Sequence, residues 1–178
     1  MTGSRHSGNQ SNDQRIVLGI DPGLAATGWG ALRCSGSRYE HLDHGVVRTT
    51  ADTPAGERLA AIYDAVTELS LRFSPDEAGI ESLYFAKNVS SALPVAQSRG
   101  VVLLALFKAG IPAAEYPPQA IKQAIVGSGR AEKEQVQELV RVLLGLETPP
   151  HPDHAADALA AAICHAASTA VIIGASRV

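Results

Sequence analysis

The sequence predicts an α/β fold built on one mixed five-stranded sheet flanked by helices. Short β-branched runs separated by turns come first, two further short apolar runs then alternate with segments of helical periodicity, and the last third is helical throughout. A length of 178 residues suits one domain. We therefore expect a single domain over residues 15–168, between a disordered N-terminal tail (1–14) and a C-terminal tail (169–178).

The first three predicted strands are joined by short links. Residues 15–20 are apolar and β-branched, and they end at the turn signal Asp21-Pro22-Gly23. Residues 27–32 and 41–47 follow as the second and third strands. The short connections predict an antiparallel meander.

Helices and strands then alternate. Pro54 opens a helix whose apolar residues recur at steps of three and four, from Leu59 to Phe73. Residues 78–81 form a short strand, and residues 89–109 a long helix with Pro94 in its early turns. The centre of that helix, residues 101–107, is apolar all round, which predicts burial on more than one side.

The remaining elements are separated by proline and glycine. Residues 112–116 are predicted to form the fifth strand, and Pro117 starts a helix that ends at Gly127. Residues 131–144 form another helix, residues 148–152 break the chain, and Asp153 caps a last helix that extends to about Ser168.

Composition narrows the class of protein. Cys34 and Cys164 are far apart and lack metal-binding spacing, so we expect free thiols in a reducing cytoplasm. The sequence contains no run of 18 apolar residues, so we expect no membrane span. Residues 1–14 lack the apolar core of a signal peptide. We expect a cytoplasmic protein without a membrane partner.

The charge distribution is more informative than the net charge. A formal net charge of −3 and a pI of about 6.0 argue mildly against DNA binding. However, residues 82–131 contain five basic residues and one acid, whereas residues 132–157 contain six acids. A metal-using nuclease needs such a pairing of basic and acidic regions, although ordinary surface charge would also account for it.

Acids and a histidine stand where the predicted fold could gather them. Asp21 and Glu81 each follow a strand, and His154 and Asp157 share one face in the first turns of the last helix. Converging carboxylates repel one another unless a cation lies between them, and Mg²⁺ prefers oxygen ligands. Spacing alone yields a candidate metal site, because each acid could also be a turn, surface or helix-capping residue.

Four segments resemble the signature motifs of the RuvC family of crossover (Holliday) junction endodeoxyribonucleases, in the family's order. They are GIDPGLAATGWG (19–30), IESLYFAKNVSSALPVAQSRG (80–100), EYPPQAIKQAIVGSGRAEKEQV (115–136) and DHAADALAAAICH (153–165). The resemblance covers residues 15–165. It implies a ribonuclease-H-like fold, a homodimer, and paired symmetric nicks in a four-way DNA junction. It also implies two Mg²⁺ ions per subunit, replaceable by Mn²⁺.

The resemblance also implies roles for individual residues. Asp21, Glu81, His154 and Asp157 take the positions of the catalytic, metal-ligating residues. The more familiar family pattern has Asp at the position of His154, and Asp153 is an alternative ligand, but we expect His154 to bind the metal.

Further residues match family positions that contact DNA. Tyr84, where Phe is usual, is expected to stack on unpaired bases, and Lys122 and Lys133 to meet phosphates. Lys87 and Arg130 are additional candidates. The resemblance implies RuvA and RuvB, the branch-migration proteins, as partners.

Three other functions are compatible with parts of this sequence. An actin-like nucleotide-binding fold also begins with an Asp-x-Gly turn, but it needs a second domain of similar size, for which this chain is too short. A non-catalytic junction-binding protein of the same fold, or a nuclease acting on another branched DNA, would share the motifs. ATP binding would favour the actin-like fold, and metal-dependent nicking of a junction separates a nuclease from a non-catalytic junction-binding protein.

Overall fold

The computed structural model describes residues 14–82 and 89–175, without the side chains of residues 89–91 and 170–175. The strands are β1 (Gln14–Asp21), β2 (Ala26–Ser35), β3 (Arg38–Arg48), β4 (Glu77–Glu81) and β5 (Ala113–Tyr116). The helices are α1 (Ala55–Phe73), α2 (Val89–Lys108), α3 (Pro118–Val126), α4 (Lys133–Leu144) and α5 (Asp153–Ala175).

The five strands form one mixed sheet in the order β3-β2-β1-β4-β5, which confirms the predicted architecture. β1, β2 and β3 form the predicted antiparallel meander. β4 is parallel to β1, and β5 is parallel to β4, with α1 and α2 as the crossovers. The carboxyl ends of β1 and β4 therefore meet at one edge of the sheet.

The sheet carries a separate apolar core on each face. Helices α1 and α2 pack on one face, where the apolar stripe of α1, including Ile62 and Val66, is buried as predicted. Helices α3, α4 and α5 cover the other face, with Leu159 of α5 and Val140 of α4 fully buried. The edge of the sheet where the carboxyl ends of β1 and β4 meet thus lies between helices from both layers.

Helix α5 lies unusually close to the sheet because small residues face each other. A Cβ atom added at Gly19 of β1 would collide with the backbone oxygen of Ala158, and one at Gly28 of β2 with the backbone oxygen of His154. The alanines of α5 match this lack of side chains on the strands. The first turns of α5, with His154, are therefore held directly against β2.

Two expectations for the helices need correction. The last helix continues to Ala175 instead of ending near Ser168, so residues 169–175 are helical. The centre of α2 is buried on one side only, since Leu104 is 51% and Phe107 81% exposed. A single sheet face can cover only one side of a helix, so the apolar outer side of α2 is left uncovered in the single chain.

Two smaller expectations concern the cysteines and the membrane. Cys34 and Cys164 are both free, as predicted, and the structure buries both of them. Within the part of the chain that the structure describes, none of the helices has the length and apolar character needed to span a bilayer.

Candidate active site

Asp21 and Glu81 are the last residues of two neighbouring parallel strands. Side chains alternate between the two faces of a strand, and Ile20 and Ile80 both point into the core beneath α1 and α2. The carboxylates one residue later therefore point to the opposite face, towards α5. This alternation explains why two acids 60 residues apart share one face of one edge.

Helix α5 completes the site from above that face. His154 and Asp157 lie three residues apart, and the Nδ1 atom of His154 is 2.6 Å from Oδ2 of Asp21. Ligand atoms of Asp21, His154 and Asp157 all lie within 4.8 Å of one another. Glu81 is outside this tight group, but it lines the same open cavity of about 360 Å³.

The carboxylates of this site are crowded and partly shielded from water. Burial, with a further contribution from Asp157, raises the pKa of Asp21 despite the neighbouring His154 and Lys133. Burial and the charges of Asp21 and Asp157 raise the pKa of Glu81 to about 8. The donor set, oxygen-rich and short of positive charge, fits a hard divalent cation such as Mg²⁺ or Mn²⁺.

Asp153 and His154 occupy different surroundings, although they are adjacent. The side chain of Asp153 is 61% exposed, where Nζ of Lys133 lies 3.1 Å away and the amide of Gln137 donates a hydrogen bond of 3.2 Å. Asp153 does not belong to the group of ligand atoms around Asp21. The geometry thus favours His154 over Asp153 as the third member of the site.

Two of the predicted DNA-binding residues lie beside the acids. Lys122 and Lys133 line a smaller adjoining cavity of about 150 Å³ together with Glu81 and Asp157. Nζ of Lys133 is 3.2 Å from Oδ2 of Asp157, and Nζ of Lys122 donates a hydrogen bond to the carbonyl of Ala131.

Of the other three predicted DNA-binding residues, the structure describes Arg130 alone. Arg130 is exposed on the connection between α3 and α4. Tyr84 and Lys87 lie outside the described residues. The DNA-contact assignments therefore stay predictions.

Arg99 of α2 also lines the open cavity, although neither its sequence position nor the family resemblance had assigned it a role. Its guanidinium donates two hydrogen bonds of 2.6 Å to Glu115 of β5. Its position in the sequence could have indicated a role, because Arg99 lies on the same helical stripe as the buried Val102 and Leu106. A charged residue in an otherwise apolar helical stripe is expected to have an ion-pair partner or to bind a ligand.

Comparison with known proteins identifies the family. Residues 17–165 match the family model described as crossover junction endodeoxyribonuclease RuvC. The protein of that name from Treponema denticola is 52% identical over 155 residues, covering 87% of each chain. The one from Chloroflexus aggregans is 53% identical over 150 residues, covering 84% of this chain and 92% of the relative.

Solved structures agree with the sequence relatives. The structure of Thermus thermophilus RuvC superposes with a TM-score of 0.82 at 39% identity, covering 88% of this chain and 96% of the other. The same protein in complex with a Holliday junction substrate superposes with a TM-score of 0.85 at equal identity and coverage. The expected ribonuclease-H-like fold is confirmed, and the chain belongs to the RuvC family of crossover junction endodeoxyribonucleases.

Proposed function

We propose that this chain is a structure-selective endonuclease that resolves Holliday junctions in recombination and DNA repair through paired symmetric nicks. The observation that carries the proposal is the convergence of Asp21, His154 and Asp157 within 4.8 Å, beside Glu81, at one edge of the sheet. Family membership supports the same reaction class. The substrate is proposed from the junction complex of the Thermus thermophilus protein.

Asp21, Glu81, His154 and Asp157 are the proposed catalytic residues and metal ligands. These four residues would hold Mg²⁺, which we expect as two ions per subunit replaceable by Mn²⁺; when bound, the ions would supply activation of water and neutralisation of charge at the phosphodiester. When Asp21 is ionised it only accepts hydrogen bonds, so a neutral His154 would donate from Nδ1, 2.6 Å from Oδ2 of Asp21, and would carry the lone pair on Nε2. That is the form in which an imidazole binds metal, oriented by a carboxylate.

The basic residues next to the acids are proposed to hold the DNA backbone. Lys133 and Lys122 flank Glu81 and Asp157, where a phosphate near the cut would approach. Lys87 and Arg130 are proposed as further phosphate contacts, and Tyr84 as a stacking residue. These assignments rest on the family resemblance and, for Lys122 and Lys133, on their position beside the acids.

A homodimer is part of the proposal because two symmetric cuts need two active sites. Leu93, Leu104 and Phe107 are exposed along the outer side of α2, at spacings that place them on one face. A second copy would cover this face, which is otherwise an apolar surface in contact with water. We further propose that the protein works in the cytoplasm with RuvA and RuvB, consistent with its two free cysteines.

The test is cleavage of a synthetic four-way junction and of a linear duplex of matching arm sequence, with and without Mg²⁺. We expect paired nicks in the junction only, and only with metal. Asp21→Asn, which removes a proposed ligand but no DNA contact, should lower the cleavage rate more than about a hundredfold and leave junction binding intact. Tight junction binding without nicking by the unaltered protein would instead support a non-catalytic junction-binding protein.

A further inference from the structure

Arg99 lines the open cavity from the side of α2, whereas His154 and Asp157 line it from the side of α5. The other charged residues and histidines lining this cavity, among the described residues, are Asp21, Glu81, His154 and Asp157, so Arg99 is its one permanent cation. Lys122 and Lys133 line the smaller adjoining cavity instead. A phosphodiester entering the open cavity would therefore meet metal-binding acids on one side and a guanidinium on the other.

The Arg99 side chain is held in place before any ligand arrives. Its Nε and Nη2 atoms each donate a hydrogen bond of 2.6 Å to the two carboxylate oxygens of Glu115, a fork that fixes the plane of the guanidinium. Glu115 pairs with Ile80 in the parallel sheet, one residue before Glu81. The position of Arg99 is thus tied through β5 to the strand that carries Glu81.

The ion pair leaves donors free for a second anion. A guanidinium has five N–H groups, and Glu115 receives two, so three remain. The Arg99 side chain keeps 36% of its surface exposed, and Val95, one helical turn earlier, lines the same cavity. A purely structural ion pair between α2 and β5 would have no need to face the cavity that holds the acids.

We infer that Arg99, oriented by Glu115, binds a non-bridging phosphate oxygen of the DNA strand that is cut. This inference rests on the proposed nuclease function and adds a substrate-binding residue to it. Arg99 takes a phosphate on the α2 side while the acids act from the α5 side. The strand is thereby held across the sheet edge from both layers.

The test compares Arg99→Met and Arg99→Lys with Arg33→Met. Arg33 is a matched control because its side chain is 38% exposed and pairs with Glu40 at the far end of the sheet from Asp21. Junction affinity is measured against salt concentration in metal-free buffer, and single-turnover cleavage in Mg²⁺. Arg99→Met should weaken binding about tenfold and lower the log–log salt slope by about 0.7 to 0.9.

Arg99→Lys should keep the slope but cut more slowly, since an ammonium cannot be clamped by Glu115 in the same fork. Glu115→Gln should also keep the slope and slow cleavage. Arg33→Met should match the unaltered protein in both assays. Unchanged slope and rate in Arg99→Met would overturn the inference.

A structural role for the ion pair is tested by melting temperature and by the double variant Arg99→Met/Glu115→Gln, which leaves no unpaired charge. If the double variant regains normal stability, slope and cleavage, Arg99 is only structural and the inference is overturned. A double variant that is stable but still binds with the lowered slope supports it. If the unaltered protein binds junctions without cutting and Arg99→Met still lowers the slope, the nuclease function fails while the phosphate contact stands.

Discussion

At the scale of single residues, the site consists of acids whose ionised forms repel one another because the fold holds them close together. Burial and repulsion from Asp157 raise the pKa of Asp21, and burial and repulsion from Asp21 and Asp157 raise the pKa of Glu81. Lys133, 3.2 Å from Asp157, supplies only part of the opposing charge. Such an arrangement is stable in its ionised form only with additional cations, which is the property expected of a metal-dependent nuclease.

Glu81 should give the metal-free protein a characteristic pH dependence of stability. Its folded-state pKa of about 8 lies above the ordinary value of 4.5, so between these pH values the folded state retains a proton that the unfolded state has lost. The free energy of unfolding should therefore fall as pH rises through this window, by at most about 1.4 kcal/mol per pH unit.

Denaturant unfolding of metal-free protein across this pH range measures the effect. Glu81→Gln cannot ionise, so its unfolding free energy should vary less with pH over the same window. Identical pH profiles for the two proteins would show that Glu81 is not the strained carboxyl. Added Mg²⁺ should raise the stability of the unaltered protein at the high-pH end more than that of Glu81→Gln.

His154 should be replaceable by aspartate, whereas Asp153 should be dispensable. An imidazole binds metal only when it is neutral, while a carboxylate stays ionised at lower pH. His154→Asp should therefore keep cleavage activity and lose less of it as pH falls from about 7 to 5.5. The ratio of the two pH–rate profiles is the informative quantity, because hydroxide also becomes scarcer in both.

The neighbouring variants separate the two candidate ligands. His154→Ala should remove most activity, and Asp153→Ala should change it little, since Asp153 contacts Lys133 and Gln137 on the surface. Loss of cleavage in Asp153→Ala with normal cleavage in His154→Ala would assign the ligand to Asp153.

At the scale of secondary-structure elements, the site depends on how closely α5 approaches the sheet. Gly28 of β2 lies under the backbone of His154, and Gly19 of β1 under that of Ala158. Any side chain at these positions would push the helix outwards and carry His154 away from Asp21. Packing of one helix on two glycine-bearing strands therefore sets the geometry of the ligands.

Gly28→Ala should consequently impair both stability and cleavage. The added Cβ meets backbone that cannot move aside, so we expect a loss of about 1–3 kcal/mol in unfolding free energy. Gly56→Ala on α1 is the control, because a Cβ there meets nothing within 4 Å, and it should be neutral or stabilising. Chemical denaturation and single-turnover cleavage measure the two effects; a Gly28→Ala protein with normal stability and rate would contradict this account of α5.

At the scale of the whole molecule, the proposed paired cuts require two sites that face one two-fold symmetric substrate. The apolar outer side of α2 lies on the opposite face of the sheet from α4, and Phe107 is 81% exposed there. Covering this side with a second copy would bury the apolar surface that the single chain leaves in water. The same helix carries Arg99 on its inner side, so α2 would connect the subunit interface to the cavity.

Phe107→Glu should therefore convert a dimer into a monomer and uncouple the two cuts. A charge buried against an apolar partner surface is strongly unfavourable. Val142→Glu on α4, where the native side chain is 54% exposed, is the matched control and should remain dimeric. Sedimentation at micromolar concentration measures the assembly, and paired against single nicks in a junction measure the coupling. An unaltered protein that is monomeric yet cuts both strands together would rule the dimer out.

The sequence by itself determined the order of the elements and the identity of the candidate ligands. Local signals sufficed for the elements, because β-branched runs, turn dipeptides and helical periodicity act over a few residues, whereas the ligands were assigned from the family resemblance. The motifs around Asp21, Glu81 and Asp157 also fixed the family. The end of α5 was misplaced: the helix continues past Ser168 through an apolar run to Ala175, and Gly174 marks its end in the sequence.

Only the tertiary structure decided which side chains meet. That His154 rather than Asp153 contacts Asp21 follows from the rotation of α5 against Gly28, a contact between residues distant in sequence. That Arg99 faces the acids follows from its clamp to Glu115 across two elements. Long-range packing sets these relations, and no periodicity within a single segment encodes how two elements are turned towards each other.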